Sequence, residues 1–288
     1  MAKILAVGIA TLDIINEVER YPLEDQEVRA LTQSVRRGGN ATNTLAVLSQ
    51  LGHTCHWAGV IAKEPNTALI KADLDHYRID TRYCRWLEAG RMPTSYITLS
   101  RYSATRTIVH YRDLPEYGYE WFREIPWQEF DWIHFEGRNI AETEQMIRCV
   151  EDRIDGPRIS VEAEKTRSGI ERLFTGPDLL LFSSALAAHN AMEPDEYLRQ
   201  VAAVAPQTSL ACTCGARGAV ALDRLGQAHH SKAFPPESLV DTVGAGDTFN
   251  AGMIDRCLSG ESLDKALEFS CRLAGRKCGQ TGLDGLSE

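Results

Sequence analysis

The stretch DTVGAGDTFNAG, residues 241–252, sets three small residues, Gly244, Ala245 and Gly246, directly before an amphipathic run that continues to Leu258. The spacing predicts a helix over 246–258 whose first turn is bare of side-chain bulk. The first N–H groups of a helix have no partner inside it, and the aligned peptide dipoles leave partial positive charge at that end. With glycine and alanine there, the oxygens of a phosphate or of a developing oxyanion can reach the amides. Asp247 stands at the mouth of this nest, placed to act as a base on a group held beside it. A tight turn capped by Asp247 is the plainer reading of the same tetrapeptide. Other phosphate-binding grammars do not fit. No G-x-x-x-x-G-K-[ST] occurs anywhere, and a dinucleotide fingerprint would need a small residue where Phe249 stands. His110-Tyr-Arg-Asp-Leu114 fails as a protein-kinase catalytic loop, since Tyr111 interrupts it and no D-F-G or A-P-E follows.

Bulk properties bound what such a nest can serve. The 288 residues, 43% hydrophobic and 25% charged, suffice for one sizeable core. A formal net charge of −9 disfavours a grip on polyanions, and Arg36-Arg37 is too short for a basic patch, so no nucleic-acid partner is expected. The opening residues MAKILAVGIATLD are broken by Gly8 and stopped by Asp13, too short for a membrane span or a secretory leader. A cytoplasmic protein with no membrane partner is expected. The 8 cysteines form no C-x-x-C pair and read as reduced thiols, with Cys212 and Cys214 as packing residues on one strand face.

Short apolar runs alternate with amphipathic ones, the pattern of parallel strands joined by helices. Strands are expected at 4–8, 55–60, 132–136, 158–162, 179–183 and 210–213, and helices at 41–51, 67–77, 143–153, 194–204, 246–258 and 262–279. This is an α/β chain with a doubly wound, mainly parallel sheet flanked by helices, one domain over 1–288. Regions 14–37 and 93–112 break the rhythm with strand-like segments that lack intervening helices. They predict a small antiparallel sheet projecting as a lid. An apolar lid face needs a ligand or a second copy to cover it, which points to a lid, a homodimer contact, or both.

Two segments together resemble one family. Residues 241–252 are similar to the C-terminal signature of the ribokinase-like (PfkB) carbohydrate kinases, and Arg37-Gly-Gly-Asn-Ala-Thr-Asn43 to their N-terminal one, in the right order. Trp132 to Asn139, Ser160-Val-Glu-Ala-Glu-Lys165 and Ala274-Gly-Arg-Lys-Cys-Gly279 extend the resemblance over essentially the whole chain, toward members that act on a ketohexose. The resemblance implies a ribokinase-like fold and transfer of a phosphoryl group from ATP to a sugar hydroxyl, with fructose giving fructose 1-phosphate. Ribose, another hexose or a nucleoside is the alternative acceptor, and a sugar-binding regulator without turnover is the alternative from another class.

Within that frame Asp247 is the base, Gly244, Ala245 and Gly246 form the anion hole, and Arg106 reaches the transferred phosphate. Sugar hydroxyls donate and accept, so Asp13, Gly39, Asn40 and Asn43 suit the sugar site, and they match the family's sugar-binding positions. The resemblance implies an adenine shelf at Thr213, Gly215, Gly218, Phe234, Cys278 and Gly279, where small residues admit a flat ring. The helix dipole and a bound metal are expected to keep Asp247 ionised and weakly basic. One departure concerns that metal. Many members carry N-x-x-E after the strand that here ends at Ser184, and this chain has Ser-Ala-Leu instead. Mg²⁺ would then be held mostly by water and phosphate, with Glu162 and Glu164, or Glu136, orienting metal-bound water. Structural salt bridges are the alternative for these glutamates.

Overall fold

The computed structural model describes residues 1–103, 105–151 and 156–287. In chain order the elements are β1 (Lys3–Val7), β2 (Thr11–Val18), β3 (Thr32–Gly38), α1 (Asn40–Gln50), β4 (Thr54–Ala58), β5 (Val60–Ala62), α2 (Thr67–His76), β6 (Arg85–Leu87), β7 (Thr94–Ser100), β8 (Thr105–Tyr111), α3 (Tyr119–Phe122), β9 (Trp132–Glu136), α4 (Ile140–Glu151), β10 (Arg158–Ala163), β11 (Leu179–Ser183), α5 (Ser184–His189), α6 (Pro194–Val204), β12 (Ser209–Thr213), β13 (Ala219–Leu222), β14 (Ala228–Ser231), α7 (Ala245–Leu258) and α8 (Leu263–Cys278). The expected helix end at Arg153 falls outside the described residues.

Among the described residues an eight-stranded sheet runs β14-β13-β12-β11-β10-β9-β1-β4. It is parallel from β4 to β12, with β13 and β14 added antiparallel at one edge. Its central strands are buried on both faces, which is why runs such as Leu179-Leu-Leu-Phe182 are continuously apolar rather than alternating. Helix α1 is buried from Ala41 through Leu48 and α7 from Asp247 through Asp255, because the two helices pack against each other as well as against neighbouring layers. That packing brings their N-termini to one place. No disulfide joins the cysteines, and Cys212 is buried as packing. No helix of the described residues is long and apolar enough to cross a membrane.

The lid is a four-stranded sheet, β3-β2-β7-β8. Its hairpins β2–β3 and β7–β8 are antiparallel, but β2 and β7 pair in parallel, correcting the expectation of a wholly antiparallel sheet. The reason is connectivity: α1, β4, β5 and α2 intervene between the hairpins, so the chain re-enters the lid in its original direction. The lid also begins earlier than expected, at Thr11, which puts Asp13 inside β2 rather than in a loop after β1. Register aligns Asp13, Ser95 and His110 in one row and Ile15, Ile97 and Ile108 in the next, on the face toward the main layer. The opposite face carries Val35, Ile14, Tyr96 and Val109 as one apolar row.

Candidate active site

A cavity of about 510 Å³ lies between the lid, the carboxyl ends of the central strands and the N-termini of α1 and α7, the position where open α/β sheets bind ligands. Asp13, Gly39, Asn40, Asn43, Arg106, Glu162, Glu164, Thr213, Gly244, Gly246 and Asp247 all line it. Segments as distant as β2, α1, β8, β10 and α7 therefore meet at one cavity. Ala245, Gly215, Gly218, Phe234, Cys278 and Gly279 are not among its walls.

The nest starts at Gly244, whose φ of 88° is left-handed and favours glycine. No side chain caps α7. The Ala245 N–H donates to Thr242 O at 3.3 Å, so its expected place in the anion hole is corrected: the turn that opens the helix uses that amide. Gly246 and Asp247 supply the first-turn amides beside the cavity, and a Cβ on Gly246 would meet no atom within 4 Å.

Asp247 is buried, and it does not cap its own helix. Its Oδ2 accepts from Asn43 Nδ2 at 2.7 Å. The Asn43 Oδ1 in turn accepts from Arg37 Nη1 at 2.8 Å; because arginine only donates, this contact fixes which way the amide points. Arg37 also holds Thr42 and pairs with Asp73 on α2. The expectation of an ionised, weakly basic Asp247 rests on the helix dipole and a bound metal together; in the chain alone the balance is set differently. Burial, reinforced by the charges of Glu164 and Glu136, pushes the Asp247 carboxyl up to about 7, against the Asn43 bond and Arg37 charge that favour ionisation. A base poised near neutrality is better matched to proton transfer than one near 4.

The neighbouring carboxylates differ in what remains open. Glu162 Oε1 accepts from Asn250 Nδ2 at 2.9 Å, whereas Oε2 is buried with no hydrogen-bond partner among the described residues. Burial and then the Asp247, Glu164 and Glu136 charges raise its carboxyl well above the ordinary value. Glu164 accepts from Asn40 Nδ2 at 2.9 Å. Glu136 is already engaged, Oε2 by the Ile9 N–H at 3.0 Å and Oε1 by Arg138 Nη1 at 3.2 Å. No group of three or more His, Cys, Asp or Glu among the described residues is arranged to hold a metal ion. The orphaned Glu162 oxygen with Glu164 beside it fits an ion such as Mg²⁺ held mainly through water.

The expected adenine shelf divides. Gly215 faces open space, with no atom within 4 Å of a Cβ there. A Cβ on Gly218 would lie 2.0 Å from Ser231 O, and one on Gly279 2.9 Å from Pro236 Cβ. Smallness at those two positions lets chain segments approach each other. The Phe234 ring lies under Arg272, 4.2 Å away, and Cys278 O receives the Val240 N–H at 2.8 Å.

Arg37 and Asn250 were not expected as site residues, and neither were Arg138, Lys165 and Arg167, which bring positive charge to the cavity wall. Arg37 sits inside the N-terminal signature, but its partner Asp73 is on another helix and no local pattern announces it. Amides open to an anion, a buried carboxylate, and a polar wall of Asp13, Asn40 and Asn43 form a set of groups capable of moving a phosphoryl group onto an alcohol.

Fold and site define a small-molecule phosphotransferase. Residues 1–288 match the pfkB family carbohydrate kinase model, and the chain belongs to that family. It is 39% identical to ketohexokinase of Mus musculus over 99% of this chain and 98% of that protein. It is 25% identical to an ATP-dependent ribose-1-phosphate kinase of Halopiger xanaduensis, covering 98% and 94%. The fold superposes on the ribokinase of Giardia lamblia with a TM-score of 0.86 at 15% identity, over 99% of this chain and 95% of that one.

Proposed function

We propose that the protein transfers the γ-phosphoryl group of ATP to a ketohexose, converting fructose to fructose 1-phosphate. The observation that carries this reading is the buried Asp247, hydrogen-bonded to Asn43 at 2.7 Å and seated in the first turn of an uncapped helix. The relation to ketohexokinase supports the choice of acceptor. Asp13, Gly39, Asn40 and Asn43 hold the sugar and present one hydroxyl to Asp247. The carboxylate takes its proton as the O–P bond forms, while the Gly246 and Asp247 amides and Arg106 hold the phosphoryl oxygens. Mg²⁺, when bound through Glu162 and Glu164 by way of water, would supply neutralisation of the triphosphate charge. The adenine rests near Thr213 and Gly215, with the 234–236 segment and the end of α8 behind it.

An ADP-release assay across fructose, tagatose, sorbose, ribose, ribose 1-phosphate and adenosine tests this. Fructose should give the highest kcat/KM; ADP formed only with adenosine or a ribose compound contradicts the ketohexose reading. A pentose or its phosphate is the second reading, favoured by Arg138, Lys165 and Arg167 at the cavity wall together with the 25% relation to a ribose-1-phosphate kinase.

We also propose that two copies pair through the lid, covering the row of Val35, Ile14, Tyr96 and Val109, of which Val109 is 66% exposed. Light scattering on the eluting protein should give twice the chain mass for wild type and the chain mass for Val109→Glu. A monomeric wild type contradicts the pairing.

A further inference from the structure

Lys277, in the last turn of α8, is fully buried. Lysine is almost never fully buried unless its charge and donors are matched. An ammonium has three donors, and three oxygens meet this one: Asp241 O at 2.8 Å, Asp241 Oδ2 at 3.2 Å and Gln280 O at 3.3 Å. Asp241 opens the segment that leads into the nest. Its Oδ1 accepts from the Val243 N–H at 2.9 Å, and its Oδ2 also receives Arg36 Nη1 at 2.9 Å. Thr242, Val243 and Gly244, the next three residues, line the cavity. The lysine stem lies directly against the turn, since a Cβ on Gly244 would be 3.7 Å from Lys277 Cε.

A plain packing role does not account for a charge here. A methionine would fill similar volume without desolvating an ammonium, and apolar replacements of buried ion pairs are often neutral or stabilising. What the ammonium adds is geometry and field. It ties main chain and carboxylate of Asp241 to the last turn of α8, which restrains the approach to Gly244. It also leaves a fixed positive charge behind the first-turn amides. We infer that Lys277 is a positioning residue for phosphoryl transfer, an internal cation that sets the 241–244 turn and so aims the Gly246 and Asp247 amides. This rests on the proposed reading of the nest as the γ-phosphoryl site.

The effect should fall on the nucleotide side alone, because Asn40 and Asn43 are held by Glu164 and Arg37 from other elements. Lys277→Met and Asp241→Asn break the cage from opposite sides, and Asp241→Asn carries the test should Lys277→Met not fold. Each should lose ~10- to 100-fold in kcat, less than the ~100- to 1,000-fold of a deleted anion-hole donor because the amides are displaced rather than removed. Affinity for a nonhydrolysable ATP analogue, measured by calorimetry, should weaken ~10-fold while sugar affinity stays within ~2-fold. In Lys277→Ala, methylammonium or ethylammonium should restore kcat in a saturable way and leave wild type unaffected. Folded variants with wild-type kcat and analogue affinity overturn the inference. So does a parallel loss of sugar and nucleotide binding that follows thermal stability and no amine rescues. A wild type that phosphorylates no sugar would instead overturn the reading of the nest.

Discussion

Asp247→Asn should slow turnover by at least ~100-fold, leave sugar affinity within a few-fold, and raise the thermal stability of the protein at neutral pH. The first effect follows from removing the carboxylate proposed to take the hydroxyl proton. The second follows because Asn43, Asn40 and Asp13 remain where they are. The third comes from burial. The Asp247 carboxyl titrates near 7 in the folded chain against 3.8 ordinarily, so between those values the folded state keeps a proton that the unfolded state has released. Stability due to this group is therefore complete below about pH 4 and is lost as pH rises through about 7. An asparagine does not pay that penalty, and its carbonyl oxygen can still accept from Asn43. Melting curves of variant and wild type should thus coincide in acid and separate by on the order of a few kcal/mol above neutrality. A variant with undiminished kcat, or one less stable than wild type at pH 8, would mean that Asp247 serves the helix rather than the reaction.

Gly39→Ala should cost ~10- to 100-fold in sugar affinity and destabilise the fold by about 1–3 kcal/mol or more. Gly39 precedes α1 with φ 107° and ψ 125°, a conformation that L side chains rarely adopt. A Cβ there would lie 2.2 Å from Ile9 O and 3.0 Å from Ala10 Cα, both backbone atoms, so the start of α1 must move. Asn40 and Asn43 move with it, and Asn43 carries Asp247's hydrogen bond. Gly246→Ala is the informative contrast. No atom lies within 4 Å of its Cβ, so the fold should be untroubled or slightly stabilised, while the methyl projects into the nest. The two variants should separate: Gly39→Ala loses sugar binding by calorimetry, Gly246→Ala loses affinity for a nonhydrolysable ATP analogue. Equal sugar affinity in Gly39→Ala contradicts the placement of the sugar at the start of α1.

Much of this architecture is legible locally. The central strands announce themselves because burial on both faces demands unbroken apolar runs, and the two signatures lie where backbone conformation alone restricts the residues. What stays hidden is long-range. Strand β14, Ala228-His-His-Ser231, is a half-buried edge with no periodicity to read. Asp13 looks like a loop residue after β1 because only pairing with Arg36 and Ser95 makes it a strand residue. Gly218 and Gly279 resemble openings for a ring, and that a Cβ at either would meet Ser231 or Pro236 is a packing constraint no local pattern shows. Ala245 is small like its neighbours, yet its amide belongs to the turn. Lys277 reads as a surface cation at a helix end, since its three oxygens arrive from a segment about 36 residues away and from the turn that follows. The raised pKa of Asp247 is likewise set by burial, and then by the Glu164 and Glu136 charges, which surround it only in the folded chain.

The most direct measurement is a crystal structure of the protein with a nonhydrolysable ATP analogue and fructose bound together. The account predicts the terminal phosphate against the Gly246 and Asp247 amides, with the fructose 1-hydroxyl in line with it and within hydrogen-bond reach of the Asp247 carboxylate. A triphosphate seated away from α7, or Asp247 turned from the sugar with both ligands present, would contradict it.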